Sequence, residues 1–202
     1  MWLYLLQGIV YGFAAASQPG PLQTYLITQT LARGWKRTLP AALAPLISDG
    51  PIIVICLFLL NQVPAWMERF LYLASGLFIL YLAYSASMSW RGFHLQTPHL
   101  ESTQQRGLLK AAVLNVLNPN PYIYWTLVTG PILLAGWREA PANGIGFLAG
   151  FYLTLIGGLA AIILVFGTAA KLGPKVNRAL LGISAIALFC FGLYQLLLGF
   201  MN

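Results

Sequence analysis

The sequence predicts an all-α membrane protein of six transmembrane helices, and three observations carry that reading. Only 7% of the 202 residues are charged and 59% are hydrophobic, whereas a soluble domain carries about a quarter charged residues, so this chain cannot cover a globule with polar surface. Its mean hydropathy of +0.76 says the same. The apolar residues also come in six blocks, each long enough for a bilayer crossing of about 20 residues.

The first block runs from about Leu3 to Leu31 and ends at Arg33-Gly34-Trp35-Lys36-Arg37. Met1-Trp2-Leu3-Tyr4 offers no basic leader, and the block outruns a signal peptide, so it reads as a retained span. The second runs from about Ala41 to Leu60 and ends at Asn61-Gln62-Val63-Pro64, and the third from about Phe70 to Trp90. A polar segment, Arg91 to Arg106, separates it from the fourth block, about Leu108 to Ala135, which ends at Gly136-Trp137-Arg138-Glu139. The fifth runs from about Ile145 to Ala170, Lys171 to Arg178 forms a basic loop, and the sixth runs from about Ala179 to Phe200. The chain reads as one membrane domain, residues 1–202, with half-repeats about 1–90 and 108–202 and a cytoplasmic linker about 91–107.

The net charge of +7 falls in short loops, where it signals topology rather than nucleic-acid binding. Arg33, Lys36 and Arg37 follow span 1; Arg91, Arg106 and Lys110 follow span 3; Lys171, Lys175 and Arg178 follow span 5. The intervening loops hold only Arg69 and Arg138. Basic residues stay cytoplasmic, so both termini are expected outside. Three spans per half means the second half enters from the opposite side. That is a 3+3 inverted repeat, a common plan for secondary transporters.

Three features fall at mid-membrane depth. Span 1 contains Ser17-Gln18-Pro19-Gly20-Pro21, span 2 contains Ser48-Asp49-Gly50-Pro51, and span 4 contains Asn118-Pro119-Asn120-Pro121. At about 1.5 Å per residue, Asp49 lies roughly 18 Å along its helix from Arg37, near the middle of a core about 30 Å thick. Each proline removes an N–H and clashes with the carbonyl four residues back. Paired prolines therefore predict that spans 1 and 4 are broken helices, with proline in the first turn of each new half-helix and Ser17, Asn118 and Asn120 as capping candidates. Two half-helix N-termini at the midplane would favour an anion such as a carboxylate. The alternative is a pair of kinks that only shape the bundle.

Asp49 is the only acidic residue within a predicted span. An aspartate there costs roughly 2.5–3.5 kcal/mol on insertion scales and marks a functional site by default. It suits proton or ion coupling, alternating between protonated and ionised states; the structural alternative is an acceptor for N–H groups freed by a broken helix. These parts together suit a zwitterion: half-helix N-termini for its carboxylate, Asp49 for its ammonium. The candidate substrate-binding residues are Gln18, Pro19, Gly20, Pro21, Gln23, Asn118, Pro119, Asn120, Pro121, Tyr122 and Trp125. Tyr122, Tyr124 and Trp125 would form an aromatic wall with cation–π character or serve packing. Gln23, in the first turn of its half-helix, would reach a ligand or bond a neighbouring helix.

The remaining motifs read more plainly. Gly8, Gly12, Ala16 and Gly20 recur every four residues, and Gly146 and Gly150 form a second small-residue pair. Such stripes let helices approach closely, within the bundle or across a homodimer. Cys56 and Cys190 form no CxxC pair and read as small core hydrophobes. His94 and His99 lie with Glu101 in the linker, without zinc-ligand spacing, so no metal and no cofactor is expected. Gly182-Ile183-Ser184-Ala185-Ile186 lacks the second glycine of a nucleophile elbow, and no enzyme activity is read.

Pro19-Gly20-Pro21 in span 1, Asp49 in span 2 and Asn118-Pro119 in span 4, with the basic loop Arg33 to Arg37 and the stretch Leu71-Tyr72-Leu73-Ala74-Ser75-Gly76 through Tyr81-Leu82, resemble the lysine exporter (LysE/RhtB-type) family. The resemblance covers almost the whole chain. It implies a bacterial inner-membrane protein that expels amino acids, driven by the proton gradient. Two departures stand out: the family's usual Asn-Pro-Lys is Asn118-Pro119-Asn120 here, and its common Asn after Pro-Gly-Pro is Leu22. Losing a midplane lysine changes the charge of the site, and the absence of a second acid weakly favours neutral amino acids. An exporter of divalent cations or other small metabolites, a membrane thiol–disulfide electron carrier and a non-transporting scaffold are the other readings. One aspartate is thin for a hard cation, no cysteine adjoins either break, and no long soluble loop is expected to recruit a partner.

Overall fold

A computed structural model describes residues 1–58, 65–91, 104–169 and 173–201. The turn at 61–64, His94, His99, Glu101 and Lys171 lie outside the described residues. The described residues are helical throughout, without strands: α1 (Trp2–Ser17), α2 (Pro21–Arg33), α3 (Trp35–Thr38), a 3₁₀ turn (Leu39–Leu43), α4 (Ala44–Phe58), α5 (Ala65–Arg91), α6 (Gln104–Leu117), α7 (Pro119–Tyr124), a π turn (Trp125–Thr129), α8 (Gly130–Glu139), α9 (Pro141–Ala169) and α10 (Pro174–Met201). Among the described residues four stretches are long and apolar enough to cross a membrane: Trp35–Cys56, Arg69–Met88, Pro141–Ala169 and Lys175–Met201. Trp2–Ser17 and Gly107–Leu117 are shorter apolar helices.

The elements end where their residues require. Gly34, at φ 86°, stops α2 and donates its N–H to the Thr30 carbonyl; only glycine takes that conformation without strain. Pro51 sits inside α4 without ending it. The π turn was not foreseen. The Gly130 N–H reaches back five residues to Trp125, and the Thr129 hydroxyl donates to the Tyr124 carbonyl. Pro131, with no N–H to give, follows at once.

Helix directions follow from contacts along their lengths. Gly8, Gly12 and Ala16 of α1 meet Phe147, Phe151 and Gly158 of α9, Trp35 of α3 meets Gly167, and α2 between them also packs on α9. Together, α1 and α2 thus run alongside the 29-residue α9 in the same direction. The Gly8–Gly12–Ala16 stripe is spent on this packing inside the chain. Asp49 meets Asn115 and Cys56 meets Tyr122, so α4 runs parallel to α6 and α7. Gly199, Gly192 and Gly182 of α10 meet Leu73, Leu80 and Trp90 of α5, so those two are antiparallel. Asn177 donates to the Leu31 carbonyl, Tyr25 to that of Gly107, and Arg178 lies over the Trp90 ring. These ties gather Arg33, Lys36, Arg37, Arg91, Lys110, Lys175 and Arg178 at one end of the bundle. Tyr4 and Glu139, bonded at 2.8 Å, mark the other.

Candidate functional site

Both proline pairs break the chain, and each break heals differently. In the first, Gln18 ends α1 in extended conformation and Gly20, also extended, precedes α2 with Pro21 in its first turn. Pro19 leaves the Ala15 carbonyl without its usual amide donor, and the Gln23 amide supplies one at 3.3 Å. Thr24 caps the turn backward, its N–H and hydroxyl both on the Gly20 carbonyl. Ser17 is the last residue of α1 and caps nothing; the capping position belongs to Gly20, because the second proline sets the helix start three residues later. The first-turn N–H groups of Leu22 and Gln23 have no partner within the helix.

The second break is tighter. Asn118 is the N-cap of α7, its side chain accepting from the Asn120 N–H at 3.1 Å. Asn120 itself lies inside α7 rather than capping it. Pro119 and Pro121 have no N–H, and the Asn120 N–H is taken by the cap. The expectation of two donor-bearing half-helix N-termini therefore holds for α2 and fails for α7. What α7 offers instead is acceptors: Pro119 and Pro121 deprive the Asn115 and Leu117 carbonyls of their helical donors. The carbonyl of Val116 receives the Tyr122 hydroxyl at 3.0 Å.

Asp49 lies between the breaks, only 4% exposed, and is surrounded by donors. The Asn115 amide gives one N–H to its Oδ1 at 2.7 Å while contacting Ser48 Oγ at 2.7 Å. The Tyr152 hydroxyl of α9 donates to Oδ2 at 3.2 Å, and the Ser48 hydroxyl lies 3.5 Å from Oδ1. Trp125 is held edge-on against Phe151, ring centroids 5.2 Å apart. Asparagine, tyrosine and serine are neutral groups, and among the described residues no cation is hydrogen-bonded to this carboxylate.

A cavity of about 90 Å³ opens here, enough for several water molecules at roughly 10–15 Å³ each. It is lined by residues of both breaks: Gln18, Pro19, Gly20 and Gln23 from the first, Asn118, Asn120 and Pro121 from the second. Asp49 and Trp125 line it as well, and among the described residues that line it Asp49 alone is charged. Pro21, Pro119 and Tyr122 do not: the prolines begin half-helices and Tyr122 points at the backbone of the break.

Several participants do not stand out in the sequence. Asn115 carried a signal, being three residues before Asn118 on the same helix face. Tyr152 carried none, since only tertiary packing brings it across 103 positions to Asp49. Pro45 and Phe151 also line the cavity and look like ordinary span residues. Tyr124 lines it too, with its hydroxyl on the Tyr11 carbonyl at 3.0 Å. Of the cysteines, Cys56 is buried as expected, but Cys190 is exposed on α10. Among the described residues no three His, Cys, Asp or Glu side chains converge.

The family model described as LysE type translocator matches residues 13–199. No curated protein matches the chain, and no solved structure matches it.

Proposed function

Because this chain belongs to the LysE type translocator family, and is thereby a membrane transporter that exports small molecules, we propose that it expels amino acids or similar small zwitterions across the bacterial inner membrane, coupled to the proton gradient through Asp49. One observation carries the reading: two broken helices and the buried Asp49 share a single cavity.

The asymmetry of the breaks orients the solute. Its carboxylate goes to the first turn of α2, where the N–H groups of Leu22 and Gln23 and the positive end of a 13-residue helix face it. Its ammonium goes toward Asp49 and the freed carbonyls of the second break, with Trp125 and Tyr124 as an aromatic wall. Asn120 stands where the family usually has lysine, so among the described residues lining the cavity there is no cation for Asp49. That partner is the solute's ammonium on one side of the cycle and a proton on the other. The two compete for one carboxylate, which couples their movements in opposite directions.

The same proposal includes six spans, with α1 and α2 forming one crossing and α6 to α8 another. Its support is the pairing of helices. The parallel pair of α1–α2 with α9 and the parallel pair of α6–α7 with α4 exchange under a two-fold axis in the membrane plane, and the antiparallel pair of α5 with α10 maps onto itself. The half-repeats are about 1–90 and 108–202. The basic end of the bundle is assigned to the cytoplasm, which puts both termini outside. A homodimer would need a face other than the Gly8–Gly12–Ala16 stripe, which α9 covers.

The test is flux in liposomes. With an imposed pH gradient, one or a few labelled amino acids are expected to accumulate against their own gradient. A folded protein that moves none of them under any gradient would overturn the amino-acid reading.

Tyr152→Phe offers a finer check on the same site. It removes one donor to Oδ2 and nothing else. A hydrogen bond to a charged group is worth about 1.5–3 kcal/mol, so the ratio of gradient-driven flux to simple exchange is expected to fall roughly tenfold or more. Insertion and yield should not change. An unaltered ratio would remove Tyr152 from the coupling site.

A further inference from the structure

A second concavity, sharing no lining residue with the first, lies between α5 and α10. It is a groove of about 460 Å³ whose walls include Leu80, Tyr84, Ile186 and Phe189. Tyr84, Ile186 and Phe189 are each more than half exposed, so the groove opens on the outside of the bundle. For a chain of membrane-spanning helices that outside is lipid. The groove runs toward the basic end, where Trp90 and Arg91 line it. Arg178 stacks over the Trp90 ring at 5.4 Å, and Lys175 is exposed one turn earlier on α10. Among the described residues lining the groove there is no acid.

We infer that this groove is a binding site for an anionic phospholipid, an acyl chain lying along α5 and α10 and the phosphate at Arg91. The apolar walls alone would not select a ligand, because lipid tails are as apolar as the side chains they meet and gain only packing. Selection comes from the mouth. Arg91 and Lys175 present positive charge at the headgroup level, beside a tryptophan of the kind that anchors helices at the interface. Basic pockets between membrane helices at that level recognise anionic headgroups. A zwitterionic headgroup brings its own ammonium against the same charges, so the site discriminates by net charge. The residues involved belong to neither helix break, so the site would exist whatever solute the central cavity carries.

The test reconstitutes the whole protein in vesicles of equal phosphatidylglycerol and phosphatidylcholine, then extracts it and identifies retained lipid by native mass spectrometry. Phosphatidylglycerol should be retained preferentially, by about fivefold for each basic residue engaged. Arg91→Gln is expected to cut the preference about fivefold, and adding Lys175→Gln to cut it further, by a similar factor. Ser87→Trp, which fills the groove and leaves every charge in place, should release the lipid. Equal retention of the two lipids by the unaltered protein would overturn the proposal, as would an Arg91→Gln variant with full preference. So would retention of a second protein chain in place of lipid, lost on Ser87→Trp, since it would make the groove an interface between copies.

Discussion

Asp49→Asn is expected to insert and fold normally while its gradient-driven flux falls to that of protein-free vesicles. The substitution preserves shape and removes only the ionisable oxygen. Its amide oxygen can still accept from Asn115, now bonded at 2.7 Å, and the Tyr152 hydroxyl can rotate to accept from the new amide. The cavity keeps its lining and loses the one negative charge among the described residues that line it. Neither an ammonium nor a proton then has a carboxylate to compete for, and the link between their movements is gone. Asp49→Leu makes the contrast. It strands the Tyr152 hydroxyl and the Asn115 amide near an apolar side chain, at about 1–3 kcal/mol for each unsatisfied group, so it should lower both yield and thermal stability. The informative pair of measurements is gradient-driven flux beside exchange of labelled for unlabelled solute without a gradient. Loss of both assigns Asp49 to solute binding and coupling together. Loss of the first alone assigns it to coupling. Gradient-driven flux equal to the unaltered protein would leave Asp49 as a structural acceptor for the Asn115 and Tyr152 donors.

What the sequence revealed of this site depended on how local each cause is. Pro19, Pro21, Pro119 and Pro121 act on carbonyls four residues away, so the breaks were legible. Asn118 caps its own helix and was legible for the same reason. The polarity of the breaks was harder. Both motifs look alike as strings, but Gly20 leaves α2 with open donors while Asn118 and the second proline consume those of α7. That difference depends on which residue takes the extended conformation before each new start, and Ser17 was a reasonable but wrong choice. Tyr152 and Phe151 could not be found at all. They reach Asp49 and Trp125 only because α1 and α9 come close enough for α9 to face the breaks. The glycine stripe on α1 announced a close approach without naming the partner helix. The all-helical, apolar character was readable from the apolar blocks; the π turn at Trp125–Thr129 was not, because helical periodicity continues through it.

That close approach is itself open to test, and Gly12→Ala is expected to be among the most damaging single-methyl changes in the protein. A β-carbon at Gly12 would overlap the backbone carbonyl of Phe151, and one at Gly8 that of Phe147. Backbone cannot swing aside as a side chain can, so α1 and α9 must separate along their length. Overpacking of this kind costs about 1–3 kcal/mol, occasionally more, and a larger residue such as leucine at Gly12 should prevent assembly. Gly157→Ala is the internal control. It lies on α9, meets nothing within 4 Å, and removes a glycine from a helix interior, worth up to about 1 kcal/mol in favour of alanine. Thermal unfolding is conveniently followed by reaction of the buried Cys56 thiol in a Cys190→Ser background, since Cys190 is exposed from the start. Gly12→Ala should react at clearly lower temperature and Gly157→Ala at the same or higher. The damage should also reach function before the protein unfolds. The peptide that Gly12 touches belongs to Phe151, whose ring holds Trp125, and the next residue is Tyr152 on Asp49. A shift of α9 there moves the Tyr152 hydroxyl away from the carboxylate and loosens the hold on the Trp125 ring, so coupling should weaken in Gly12→Ala at temperatures where it remains folded. If flux instead followed the folded fraction alone in both glycine variants, the α1–α9 contact would be support for the bundle and no part of the coupling geometry.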